Sequence, residues 1–114
     1  MASIGIPTEI KVDELRVALT PDGARELVTQ GLEVRVQSGA GAGAGIRDDS
    51  FAKAGARVVT REEAWSAHLI VKVKEPQEEE FSLLRKDMVL FRRILMLIIK
   101  TKPGQFVLGS PTYV

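Results

Sequence analysis

The feature that most constrains this chain is an alternation of short apolar runs with connections of roughly ten residues that carry helix signals. Ser3 to Ile6 is a β-prone run closed by Pro7, and Thr20-Pro21 supplies an N-cap followed by proline at the first helical position. Ala24, Leu27 and Val28 then share one helical face, and Gly31 stands where a left-handed closing residue is wanted. Val34 to Val36 reads as the second strand, running into a glycine-alanine loop from Ser38 to Gly45. Asp48 or Asp49 can cap a short helix carrying Phe51 and Ala54, closed by Gly55, before a third strand from Ala56 to Val59. Thr60-Arg-Glu-Glu63 matches a capping box, with Ala64 and Trp65 on a brief helix. Leu69 to Lys74 is the fourth strand, stopped by Pro76. Glu78 to Glu80 and Arg85-Lys86 bracket a further helix in the order that suits its dipole, and Met88 to Phe91 is the fifth strand. Connections of this length allow right-handed crossovers. The expected fold is therefore α/β, a parallel, doubly wound sheet of about five strands, Rossmann-like or flavodoxin-like.

Composition narrows the function classes. The 114 residues suffice for one domain, and 16 basic against 15 acidic side chains leave no electrostatic footprint for nucleic acid or a membrane surface. Cysteine is absent and His68 is the single histidine, so sulfur-based and multi-histidine metal centres are excluded and no metal site is expected. The start lacks the basic stretch and apolar core of a signal peptide, and the longest apolar run, Ile94 to Ile99, is too short to span a bilayer. A cytoplasmic location is the expectation. All 15 acids precede Met88, whereas Arg92, Arg93, Lys100 and Lys102 follow it. Residues 1–91 thus read as one unit and 92–114 as a divergent basic and apolar tail, punctuated by Pro103, Gly104, Gly109 and Pro111.

In such sheets ligands bind at the carboxyl ends of the strands, where the strand order reverses. Arg16, in the connection after the first strand, would stand there, and its planar fork suits a carboxylate. Lys72 and Lys74 close the fourth strand at the same end, and their like parity puts both on one face, where one could hydrogen-bond a substrate carbonyl. The plain alternative for each is a surface cation at a strand end. Gly39, Gly41 and Ala44 fit a dinucleotide fingerprint, but Ile46-Arg47 intervenes before the helix; a flexible turn at the sheet edge is the expected reading. His68 reads as a helix-end residue, Glu78 to Glu80 as a solvated first turn, and Trp65 and Phe51 as core plugs.

Taken together, Ile4-Gly-Ile-Pro-Thr-Glu-Ile-Lys11, Glu14-Leu-Arg-Val-Ala-Leu-Thr-Pro21, Gly39-Ala-Gly41, Ala54-Gly-Ala56 and Leu69-Ile-Val-Lys-Val-Lys-Glu-Pro76 resemble the start of alanine dehydrogenase, and more distantly the transhydrogenase α subunit. The resemblance runs from about Ile4 to Phe91. It implies part of a substrate domain in which Arg16 grips the carboxylate of pyruvate or L-alanine and Lys74 contacts the keto oxygen or amino group as a catalytic residue. It also implies NAD as hydride carrier on a separate domain, with no cofactor-binding residue in this chain, and a homo-oligomeric enzyme interconverting L-alanine with pyruvate and ammonia. One departure stands out. Where the family carries an aromatic-leucine-histidine stretch with its acid/base, this chain has Arg92-Arg93-Ile94-Leu95. A positioned acid/base contributes about a hundred- to ten-thousand-fold. The expectation is thus a truncated or frameshifted chain, inactive by itself and incomplete relative to the family. The alternatives are a transhydrogenase fragment and a non-catalytic interaction module using Ile94 to Ile99 for edge pairing.

Overall fold

The computed structural model describes residues 2–92, 106–107 and 112–113. The alternation folds as expected into one sheet: β1 (Ser3–Ile6), β2 (Glu33–Gln37), β3 (Arg57–Val59), β4 (Leu69–Lys72) and β5 (Val89–Arg92) all run parallel, in the order β3-β2-β1-β4-β5. Two short strands extend the β5 edge. Of these, β6 (Phe106–Val107) runs antiparallel to β7 (Thr112–Tyr113), which pairs parallel with β5. The apolar block Ile94 to Ile99, on which the interaction-module alternative rests, lies outside the described residues.

Three helices make the crossovers: α1 (Pro21–Thr29), α2 (Asp48–Lys53) and α3 (Arg61–Trp65). The chain moves outward from β1 to β3 and then returns across the sheet to β4. Right-handed crossovers in opposite directions put α1 and α2 on one face and α3 on the other. The core divides accordingly. Ile4, Ile6, Val34 and Val36 pack with Ala24 of α1 and Phe51 of α2, whereas Ile70 and Leu90 pack with Trp65 of α3 and Met88. Phe51 and Trp65 are fully buried, as their reading as plugs requires. Gly5 faces α3 at a distance no side chain tolerates: a Cβ there would lie 1.9 Å from the carbonyl oxygen of Ala64.

Local signals hold at most boundaries. Thr20 accepts a hydrogen bond from the Gly23 amide with Pro21 opening α1, and Thr60 and Glu63 form a complete capping box on α3. Gly31 (φ 92°) and Gly55 (φ 98°) are left-handed where α1 and α2 end. Two expectations need correction. Asp48 and Asp49 lie inside the first turn of α2 rather than capping it, because the Asp48 carboxylate is spent accepting from Ser38 Oγ and Gly39 N. The segment from Glu78 forms a 3₁₀ turn, Glu78–Leu83, and no α-helix ending at Arg85-Lys86. Its Glu80 turns inward, and Arg85 leaves the turn to donate to the carbonyls of Trp65, Ser66 and Ala67 at the end of α3. Those bonds satisfy carbonyl groups that a helix end leaves open.

Candidate functional site

The crevice lies where β1 and β4 part. β1 pairs with β2 at four positions, but with β4 only at Ile4↔Leu69 and Gly5↔Ile70. Crossovers leave in opposite directions from this point, which is where open α/β sheets bind ligands; here side-chain bonds from Glu9 and Lys11 join the loop after β1 to the chain after β4. The loop after β1 carries Thr8, Glu9, Glu14 and Arg16, and the chain after β4 carries Lys74 and Glu75.

Arg16 stands on this rim with a half-exposed side chain. Its fork is filled by a neighbour: Nε donates to one oxygen of Glu14 at 2.9 Å and Nη2 to the other at 2.8 Å, while the Arg16 amide adds a third bond at 3.0 Å. Bidentate pairing with a carboxylate is the geometry for which this residue type was singled out. The hydrogen bond to Arg16, with smaller help from the charges of Arg16 and Lys74, holds the Glu14 carboxyl at about 2. Reciprocally, the bond to Glu14 and its charge, and then the more distant charge of Glu9, raise Arg16 above the ordinary arginine value. Of the two predicted site cations, Arg16 thus binds the Glu14 carboxylate directly, whereas Lys74 acts on it only through its charge. The loop is held across the gap by an ion pair from Lys11 to Glu75 at 2.8 Å, and it turns tightly at Asp13, a non-glycine residue at φ 65°.

The two lysines are not equivalent, contrary to the parity expectation. β4 ends at Lys72 and the chain bends after it, so strand alternation no longer governs Lys74. Lys72 is buried on the α3 face, its ammonium 5.9 Å from the centre of the Trp65 ring. It donates to Glu9 at 3.0 Å and to Glu80 at 3.3 Å, both carboxylates being equally enclosed. Glu9 further accepts from the amides of Val73 at 2.9 Å and Lys74 at 3.3 Å, and Glu80 from that of Gln77. Glu80 is thus a buried ion-pair member and not part of a solvated turn. Lys74 is half-buried and lies near Glu14. His68 is exposed, with its Nδ1 accepting from Ser3 N at the opposite, amino end of the strands.

A small cavity of about 170 Å³ beside Arg16 is lined by Thr8, Glu9, Glu14, Arg16 and residues of the glycine-alanine loop. That is below the ~300 Å³ at which drug-sized ligands begin to fit. The Thr8 hydroxyl is buried with no hydrogen-bond partner and can donate or accept there. The glycine-alanine loop follows β2, an interior strand and not a sheet edge; most of it is exposed, with Ala40 and Gly41 buried. A Cβ on Gly43 would fall 2.9 Å from the Leu15 carbonyl oxygen, and one on Gly41 would meet Ile46 and Phe51. Gly41 and Gly43 thus admit the chain's own backbone and side chains, whereas Gly39 and Gly45 are left-handed turn positions with open space around them. A dinucleotide does not fit them. The adjoining cleft of about 500 Å³ presents Asp48 and Asp49 beside Arg47, and the carboxylates would oppose a pyrophosphate where a true fingerprint offers a free helix N-terminus. Among the described residues no cluster of histidine, aspartate and glutamate is arranged to hold a metal, and no helix is long and apolar enough to cross a membrane.

Glu9, Glu14, Glu80 and Thr8 were not anticipated as site residues. The available signal was position: Glu9 follows the proline that closes β1, and Glu14 precedes Arg16 by two residues.

The topology defines a doubly wound α/β domain with paired charges, Arg16 with Glu14 and Lys11 with Glu75, on the rim beside the switch point. The profile of the alanine dehydrogenase/PNT N-terminal domain matches residues 5–103, and the chain belongs to that family. It is 53% identical over 90 residues to alanine dehydrogenase of Mycolicibacterium smegmatis and 45% identical over 89 residues to that of Bacillus subtilis, covering 77% of this chain and 24% of each relative. Among solved structures, an L-alanine dehydrogenase superposes with TM-score 0.74 at 42% identity, over 79% of this chain and 25% of the other. A transhydrogenase from Sinorhizobium meliloti gives the same TM-score at 37% identity, over 79% and 27%. The chain spans about a quarter of the length of the relatives it matches.

Proposed function

We propose that this chain supplies the substrate-gripping part of an L-alanine dehydrogenase, an NAD-dependent oxidoreductase that interconverts L-alanine with pyruvate and ammonia. The observation that carries the reading is the bidentate pair of Arg16 with Glu14 on the loop leaving β1, the strand next to β4, after which Lys74 follows. In this arrangement the Glu14 carboxylate stands in for that of the substrate. A bound pyruvate takes the Arg16 fork, and Lys74 donates to its keto oxygen, stabilising the negative charge that develops there as ammonia adds to the carbonyl carbon; loss of water then leaves the imine carbon to accept hydride. When bound, the reduced cofactor NADH would supply that hydride, and NAD would accept it in the reverse direction. In this reading the cofactor site lies in another part of the enzyme, as the family resemblance implies, and this chain's share is the grip. The same reading carries a cytoplasmic, oligomeric enzyme. The likeness to a transhydrogenase supports a second reading, in which the same grip belongs to a transhydrogenase α subunit.

Titration of the chain with pyruvate, followed by NMR at Arg16 and Lys74, tests the grip. The expected dissociation constant is weaker than about 1 mM, because half a clamp yields less than ~4 kcal/mol. Arg16→Ala should abolish the shifts. Equal shifts in that variant, or none in the parent chain, would refute the assignment.

A further inference from the structure

Beyond the gripping residues, the molecule holds a charged cluster with no part in the chemistry above: Glu9, Lys72 and Glu80, each side chain at least 98% buried. Burying three charges costs several kcal/mol per ion before pairing offsets it, so such a cluster needs a structural or functional reason. Its placement gives one. Backbone pairing between β1 and β4 stops at Gly5 and Ile70. Beyond that point the Val73 and Lys74 amides donate hydrogen bonds to a side chain, the carboxylate of Glu9 on the loop leaving β1. Glu9 thus continues across the gap the tie that the ladder no longer makes. One oxygen takes Lys72 Nζ and Lys74 N, and the other takes Val73 N. Seven residues on, the same loop presents Arg16.

We propose that Glu9 is a positioning residue that fixes Lys74 relative to Arg16, with Lys72 and Glu80 serving to hold the Glu9 carboxylate in place. This rests on the assignment of Arg16 and Lys74 as the gripping pair. Glu9 touches no substrate in this scheme; it acts through the backbone of the residue that does.

The test measures, in the full chain, the rate at which a small amine reagent labels Lys74 relative to the exposed Lys53 and Lys86, with hydrogen exchange at the Val73 and Lys74 amides read in parallel. In Glu9→Ala the Lys74 ratio should change by about fivefold, on the order of the rotamer freedom that a fixed lysine loses. The two amides should exchange faster while those of Val34 and Val36 do not. Glu9→Gln keeps one acceptor and leaves Lys72 paired with Glu80; it should restore part of both effects, and it decides the matter if the alanine variant does not fold. Faster exchange with an unchanged Lys74 ratio would overturn the proposal, leaving Glu9 a stabilising residue only. Protection of Lys74 by pyruvate in the parent chain is a separate reading: its absence would overturn the gripping assignment, while the labelling ratio still decides whether Glu9 fixes Lys74.

Discussion

Replacing Lys72 with methionine removes the one cation from the buried cluster while nearly preserving side-chain length. Glu9 and Glu80 would be left enclosed, each deprived of its ammonium partner at 3.0 and 3.3 Å. Deleting one member of a buried ion pair costs about 3–5 kcal/mol, because the remaining charge keeps its desolvation penalty and loses its compensation. Two carboxylates share the loss here, so the upper half of that range is expected. The contact with the Trp65 ring is lost as well. Against a total stability of roughly 5–15 kcal/mol this is a large fraction of the fold. With a urea slope of about 2 kcal/mol/M, the unfolding midpoint should fall by about 2 M. Adding Glu9→Gln and Glu80→Gln to the same chain should recover most of the loss, since the penalty lies in unpaired charge and not in missing volume. A midpoint within about 0.5 M of the parent for Lys72→Met alone would refute the assignment of a desolvated, mutually dependent cluster.

Other perturbations probe different contacts. Gly5→Ala places a methyl 1.9 Å from the Ala64 carbonyl oxygen, so α3 must move off the sheet; a loss of about 3 kcal/mol or more in chemical unfolding is expected, and a neutral result would show that α3 does not sit where described. Thr60→Ala removes the hydroxyl half of the α3 capping box and should cost about 1 kcal/mol in the same assay. Glu14 is held at about 2, below the ordinary 4.5, so its stabilising contribution is present above that ordinary value and is lost as pH falls from about 4.5 through about 2. Unfolding midpoints across that window should decline more steeply in the parent than in Arg16→Ala, and parallel curves would contradict the pairing.

The sheet was legible because its signals are local and repeated. Thr20-Pro21, Gly31, Gly55 and the Thr60 to Glu63 box each act within a few residues, and each stands where its backbone geometry requires it. That Arg16 and Lys74 stand at the same end of the sheet was legible only through topology, which places the exits of β1 and β4 side by side. What escaped was long-range. The partners of Lys72 lie 63 and 8 residues away, and no periodicity distinguishes a glutamate that folds inward from one that stays in water. Glu78 to Glu80 shows this plainly: the first two are exposed, whereas the third is buried, because a 3₁₀ turn replaces the expected helix and directs it at Lys72. The same replacement moved Arg85 from a helix terminus to the end of α3.

The tract from Ser38 to Gly45 looks like filler, small residues repeated without evident information. Its seat beneath Leu15, one residue from Arg16, makes it a gauge block: Gly43 sets how far the arginine stands out from the sheet. Lengthening or thickening that stretch would therefore misplace the guanidinium without altering a single atom of it, and monotonous sequence here works as a dimension held to tolerance.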